Sequence, residues 1–183
     1  RRHFEDLEVR YVESLKKVYG EPFHAESLDA ALIRLNDLLR ELNARCIVAN
    51  HEPPLSNIDF KDRWPELDWH IVGQTPGDLR SCCASADVGL SSADAVLAET
   101  GSLVVLSGRG KSRLATLLPP VHIALVPLSR LTTDIFTFTA ARHGQRPANM
   151  VFISGPSKTA DIEQTMSIGV HGPKRLIVIL YED

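Results

Sequence analysis

The chain has 183 residues, of which 44% are hydrophobic and 23% charged, with a formal net charge of −3 at pH 7. That length supports one domain with a sizeable core and is short for two. The mildly acidic balance gives no electrostatic footprint for nucleic acid, and no apolar run nears the roughly 20 residues that span a bilayer.

The opening stretch, residues 1–18, is charged throughout and lacks the apolar centre of a secretory signal. Cys46, Cys82 and Cys83 show no paired spacing. Both features read as a cytoplasmic chain with reduced thiols. Phe4, Leu7, Tyr11, Leu15 and Val18 recur at helical spacing up to Gly20. Ser27 is placed to cap a second helix, along which Leu28, Ala31, Leu32, Leu35, Leu38, Leu39 and Leu42 form one apolar stripe. Residues 46–49 read as the first strand. Residues 51–68 turn loop-like, with Pro53-Pro54, Ser56-Asn57 and Trp64-Pro65. So long a connection is either a lid or binding loop, or a padded surface excursion.

Residues 69–72 form the next strand candidate, and Thr75-Pro76-Gly77-Asp78 resembles a helix start with Thr75 as cap. Further strands are expected at 88–90, 103–106, 122–126, 151–153 and 176–180, and helices at 131–141 and 160–168. Several of these strands are continuous apolar runs, so both faces of the sheet should be covered. The pattern predicts one domain, with leading helices in residues 1–43 and a core in residues 44–183. That core reads as a three-layer α/β/α arrangement with a mostly parallel sheet.

Glu99-Thr100-Gly101-Ser102 stands just before the apolar run at 103–106. A carboxylate in such a turn has the parts of a general base or covalent nucleophile, and equally of a structural salt bridge. After the strand at 150–153, Gly155-Pro156-Ser157 breaks the chain and leaves backbone N–H groups free to face a ligand. Thr159, Asp161 and Glu163 crowd the helix start expected there. The two acids already offset its dipole, so a hydroxylated ligand or a basic partner suits the site better than phosphate. The two turns are expected to line one pocket, with Thr159 and Asp161 at its wall and His171 adding a donor. Neither Lys158 nor Gly110-Lys111-Ser112 completes a phosphate-binding loop. Arg109, Lys111 and Arg113 form a basic loop that either clamps an anion or is simply solvated, as charge runs usually are. No His-acid pairing of the metal-binding kind occurs, so no metal site is indicated.

The run Ala93-Asp94-Ala95-Val96-Leu97-Ala98-Glu99-Thr100-Gly101-Ser102, the stretch from Ile153 through Gly155-Pro156-Ser157-Lys158-Thr159 to Glu163, and Gly169-Val170-His171-Gly172-Pro173 occur in that order. Together they resemble the lactate-utilisation (LUD) family. The resemblance implies the fold shared by ribose-5-phosphate isomerase, glucosamine-6-phosphate deaminase and CoA-transferases. CoA-transferases form an acyl-enzyme on a glutamate in a similar turn. The resemblance further implies a non-metal subunit that helps oxidise L-lactate to pyruvate beside iron–sulfur partner proteins. This chain would then bind no cofactor of its own, the iron–sulfur clusters sitting on the partners. Three cysteines fall short of the four thiolates a cluster normally takes. The alternative is a free-standing small-molecule enzyme of isomerase or acyl/CoA-transfer type that uses Glu99.

Overall fold

In the computed structural model, which describes residues 6–142, 147–160, 166–168 and 172–183, the first helix is α1 (Leu7–Lys17). Asp6 caps it by accepting from the Glu8 and Val9 backbone N–H groups, two donors that a helix start leaves unmatched. Tyr11, Ser14 and Leu15 form its buried face. A strand, β1 (Glu21–Ala25), follows where the sequence reading placed no element. It is an edge strand, which tolerates the missing N–H of Pro22. In α2 (Leu28–Glu41) the Ser27 hydroxyl accepts from Ala30 N–H, and Ala31, Leu32, Leu35, Leu38 and Leu39 are buried. This agrees with the apolar stripe.

After β2 (Cys46–Ala49), residues 51–68 contain a 3₁₀ turn at Leu55–Asn57 and a short helix, α3 (Phe60–Arg63). The segment is pinned by aromatic packing, with the Phe60 and Trp69 ring centroids 4.5 Å apart and those of Trp64 and Trp69 5.6 Å apart. Next come β3 (Asp68–Ile71), α4 (Leu79–Ser85) and β4 (Val88–Ser91). The cap of α4 is Asp78, not Thr75, because the Thr75 hydroxyl is held by Ile71 N–H. Then follow β5 (Ala95–Leu97), β6 (Ser102–Leu106), α5 (Arg113–Leu117), β7 (Val121–Pro127) and β8 (Leu131–Thr132). Helix α6 (Ile135–Ala140) starts four residues later than its expected first residue, at the Asp134 cap. The remaining strands are β9 (Met150–Ile153), β10 (Lys158–Ala160), β11 (Met166–Ile168) and β12 (Arg175–Tyr181).

The expected helix at 160–168 is corrected. Ala160 and Met166–Ile168 belong to β10 and β11, which pair antiparallel with Thr159 opposite Ser167. Cross-strand pairing satisfies their backbone groups, and β-branched Thr159 and Ile168 favour a strand over a helix.

Six strands form one parallel sheet in the order β1-β12-β7-β4-β2-β3. Alternate residues of β12 enter opposite cores. Ile177, Ile179 and Tyr181 pack with α2, whereas Leu176, Val178 and Leu180 pack with Tyr11 and Leu15 of α1. A second sheet, in the order β8-β5-β6-β9, lies on the α1 side, since Val96, Leu103 and Val105 join the same core as Tyr11. The α/β class with a mostly parallel central sheet covered on both faces is therefore as the sequence implied. Among the described residues, no helix is long and apolar enough to cross a membrane.

Candidate functional site

The antiparallel pairing of β6 with β9 sets Leu103 opposite Ile153. Glu99-Thr100-Gly101 and Ser154-Gly155 are thereby brought side by side, although more than fifty positions separate them in sequence. A chain of hydroxyls joins the two turns. Thr100 Oγ1 and Ser102 Oγ are 2.7 Å apart, and Ser102 Oγ and Ser154 Oγ 2.6 Å apart. Glu99 is half-buried, its N–H donating to Thr133 C=O and its own C=O accepting from Ser14 Oγ.

Both glycines serve a different contact from the one the sequence suggested. Gly101 (φ 66°) and Gly155 (φ 82°) adopt left-handed backbone conformations. A Cβ on Gly101 would meet Leu15 N at 2.3 Å, and one on Gly155 would meet Val18 O at 2.1 Å. The close approach that glycine permits is thus taken up by the backbone of α1 and its C-terminal turn. Gly155 and Ser157 also line a cavity of about 230 Å³, together with Thr116, His122 and Gly172. Pro156 is buried beside it, and Ser157 N–H donates to Pro173 C=O. Glu99 and Thr100 stand outside that lining. Thr159 lies in β10, while Asp161, Glu163 and His171 fall outside the described residues.

A second constellation escaped the sequence reading. From β2 the chain steps outward to β3, then returns across β2 to β4 and continues to β7 and β12. Strand order therefore reverses between β2 and β4, and the carboxyl ends of those strands are where open α/β sheets gather ligand groups. Asn50 and Glu52 follow β2, and Ser92 follows β4. The Glu52 side chain is only 1% exposed. Its Oε1 accepts from Ser92 N–H at 3.1 Å and from Asn50 Nδ2 at 3.5 Å, and Lys111 Nζ lies 3.0 Å from its Oε2. The same ammonium sits 2.8 Å from Asp94 Oδ1, and Asp94 Oδ2 accepts from Leu106 N–H. Asn50 Oδ1 accepts from Ser112 N–H, and Arg130 donates to Ser92 Oγ and Pro53 C=O.

Burial by itself would depress the Lys111 ammonium, but hydrogen bonds and charge from Asp94 and Glu52 outweigh it and hold the pKa above the ordinary lysine value. A lysine so held stays protonated, which rules it out as a nucleophile or Schiff-base former and makes it a fixed positive anchor. Of the basic loop, Lys111 thus points inward. The signal available in the sequence was the acidic pair, Glu52 and Asp94, flanking two strand ends. Nothing in the spacing said that Lys111 would meet both.

Comparison with known proteins places this architecture. The LUD domain family matches residues 9–181 of the chain. The protein named Lactate utilization protein C from Halalkalibacterium halodurans is 36% identical over 156 residues, covering 81% of this chain and 68% of that protein. Its namesake from an Exiguobacterium species is 36% identical over 176 residues, covering 87% and 73% respectively. The crystal structure of a DUF162 family protein from Deinococcus radiodurans superimposes with a TM-score of 0.66 at 18% identity, covering 96% of both chains, so the two share a fold. The chain belongs to the LUD domain family.

Proposed function

We propose that this chain serves lactate utilisation, as the non-metal component of a system that oxidises L-lactate to pyruvate with iron–sulfur partner proteins. The observation that carries this reading is the 36% identity over 176 residues to a protein named for lactate utilisation, which reaches across both sheets. Three cysteines are fewer than the four thiolates a cluster normally takes, which supports putting the redox centres on the partners. The hydroxyl chain Thr100–Ser102–Ser154 next to half-buried Glu99 supports a ligand-handling role for that turn, and the ligand set we propose is Thr100, Gly101, Ser102, Gly155, Pro156, Ser157 and Thr159. Asp161, Glu163 and His171 complete the proposed set.

Deleting the gene should abolish growth on L-lactate while leaving growth on pyruvate intact. The wild-type gene should restore growth, and Glu99→Gln should restore it poorly although the purified variant melts within a degree or two of wild type. Affinity capture of the chain from lactate-grown cells should bring down proteins carrying iron–sulfur clusters. Equal growth of the deletion strain on both carbon sources, in a host without a second copy, overturns the role. Capture without iron overturns the partnership. Catalysis by the purified chain alone points instead to a free-standing enzyme.

A further inference from the structure

The connection at 51–68, which the sequence left as either a binding loop or a surface excursion, walls an open cavity of about 370 Å³. Its opposite wall is Ile71 and Gln74, where β3 ends. The cavity thus lies at the carboxyl ends of β2 and β3, the edge at which an open parallel sheet gathers ligand groups. Both walls are fixed before a ligand arrives. Leu55 and Phe60 are 1% and 4% exposed and anchor the loop in the core. Gly110 lies so close over His51 that a Cβ there would meet His51 O at 2.5 Å, and its C=O accepts from His51 N–H. On the far side, Ile71 C=O accepts from the N–H groups of Gln74 and Thr75. The volume falls within the range of small-molecule sites, about 300–1,000 Å³.

The chemistry of the occupant follows from the lining. The side chains of His51, Lys61 and Gln74 make no hydrogen bond or ion pair among the described residues. His51 is half-buried, and Lys61 and Gln74 are exposed, so an occupant can reach all three. Leu55, Ile58, Phe60 and Ile71 make the wall apolar between them. Lys61 and Asp59 are the formally charged residues of the lining. Asp59 is already engaged, its carboxylate accepting from Asp62 N–H at the start of α3. Lys61 has no such partner, so one ammonium is left to be matched. A single positive charge beside an apolar wall suits a monoanion with an apolar body. A doubly charged phosphate ester would set its second charge against Asp59.

We propose that this cavity binds a small amphiphilic monocarboxylate. Its carboxylate pairs with the Lys61 ammonium, His51 and Gln74 supply further donors, and its hydrocarbon body lies against Ile58, Phe60 and Ile71. A cavity of about 150 Å³ already holds a benzene ring, so this one has room for a ring with a short side chain. The site rests on its own lining and stands or falls apart from the lactate-utilisation reading and the Glu99 turn.

The test uses the purified full chain labelled with ¹⁵N-histidine and three probes of one shape: 3-phenylpropionate, its uncharged amide, and the cation 3-phenylpropylammonium. The carboxylate should shift the His51 ring nitrogens saturably, and the amide and the cation should bind at least about tenfold more weakly. Lys61→Met removes the charge and keeps the apolar stem at an exposed position, so the fold should survive. It should weaken carboxylate binding by about tenfold, the usual worth of one hydrogen bond to a charged group, and leave the amide's affinity unchanged. A merely structural role for Lys61 would move both probes alike. Lys174 is exposed and lies outside the cavity lining, so Lys174→Met should bind the carboxylate as wild type does. The proposal is overturned if His51 shows no saturable response to the carboxylate at tens of millimolar, or if the amide or the cation binds as well. It is equally overturned if Lys61→Met keeps wild-type affinity or loses no more than Lys174→Met.

Discussion

At the scale of single residues, His122 makes stability depend on pH. It lies between Gly89 of β4 and Leu176 of β12, and neither neighbour offers a charge to an imidazolium. Its pKa is about 4 in the folded chain against about 6.5 in the unfolded one. Between these values the unfolded state binds the extra proton, so stability rises with pH. The contribution is complete above about pH 6.5 and is lost as pH falls towards 4, a total of about 3 kcal/mol. Urea denaturation of wild type and His122→Gln at pH 7 and pH 4.5 should show a steeper loss for wild type. Parallel losses would mean that His122 does not titrate with folding. This histidine looked like any other apolar-flanked strand residue in the sequence, because its hydrogen-bond partner among the described residues, Ser91, is thirty-one positions away.

At the scale of elements, helix α1 and the two glycine turns form one unit. Gly101→Ala places a Cβ against the backbone of α1 and forces a non-glycine residue to φ 66°, so two penalties act together. A loss of roughly 2–4 kcal/mol is expected, read as a lower denaturation midpoint with an unchanged m-value. A change under about 0.5 kcal/mol would show that α1 shifts aside freely. Elements whose signals are local were legible in the sequence. The α2 stripe and its Ser27 cap depend only on residues three or four positions apart. Strand β1 was not legible, since Glu21–Ala25 is short, half-exposed and contains a proline. It becomes a strand only because β12 offers a parallel edge for it to pair with. The same holds for β10 and β11, which pair with each other where a capped helix start was expected.

At the scale of the whole molecule, the Glu52–Lys111–Asp94 network ties the loop after β6 to the point where strand order reverses. Lys111→Met would leave two carboxylates facing each other, one of them almost fully buried. A cost of about 3–5 kcal/mol is expected in denaturant unfolding, and adding Glu52→Gln should recover part of it. A near-neutral Lys111→Met would show that the network carries no stability. What the sequence determined by itself was the class of fold and the family, because apolar periodicity, caps and contiguous motifs all act over short separations along the chain. Tertiary structure alone decided which motifs meet. The β6–β9 pairing joins the Glu99 turn to Ser154, the return from β3 to β4 gathers Glu52 and Ser92, and α1 closes over both glycine turns. Contacts across forty to a hundred and forty residues are set by sheet order and register, and neither is written in any local stretch of the chain.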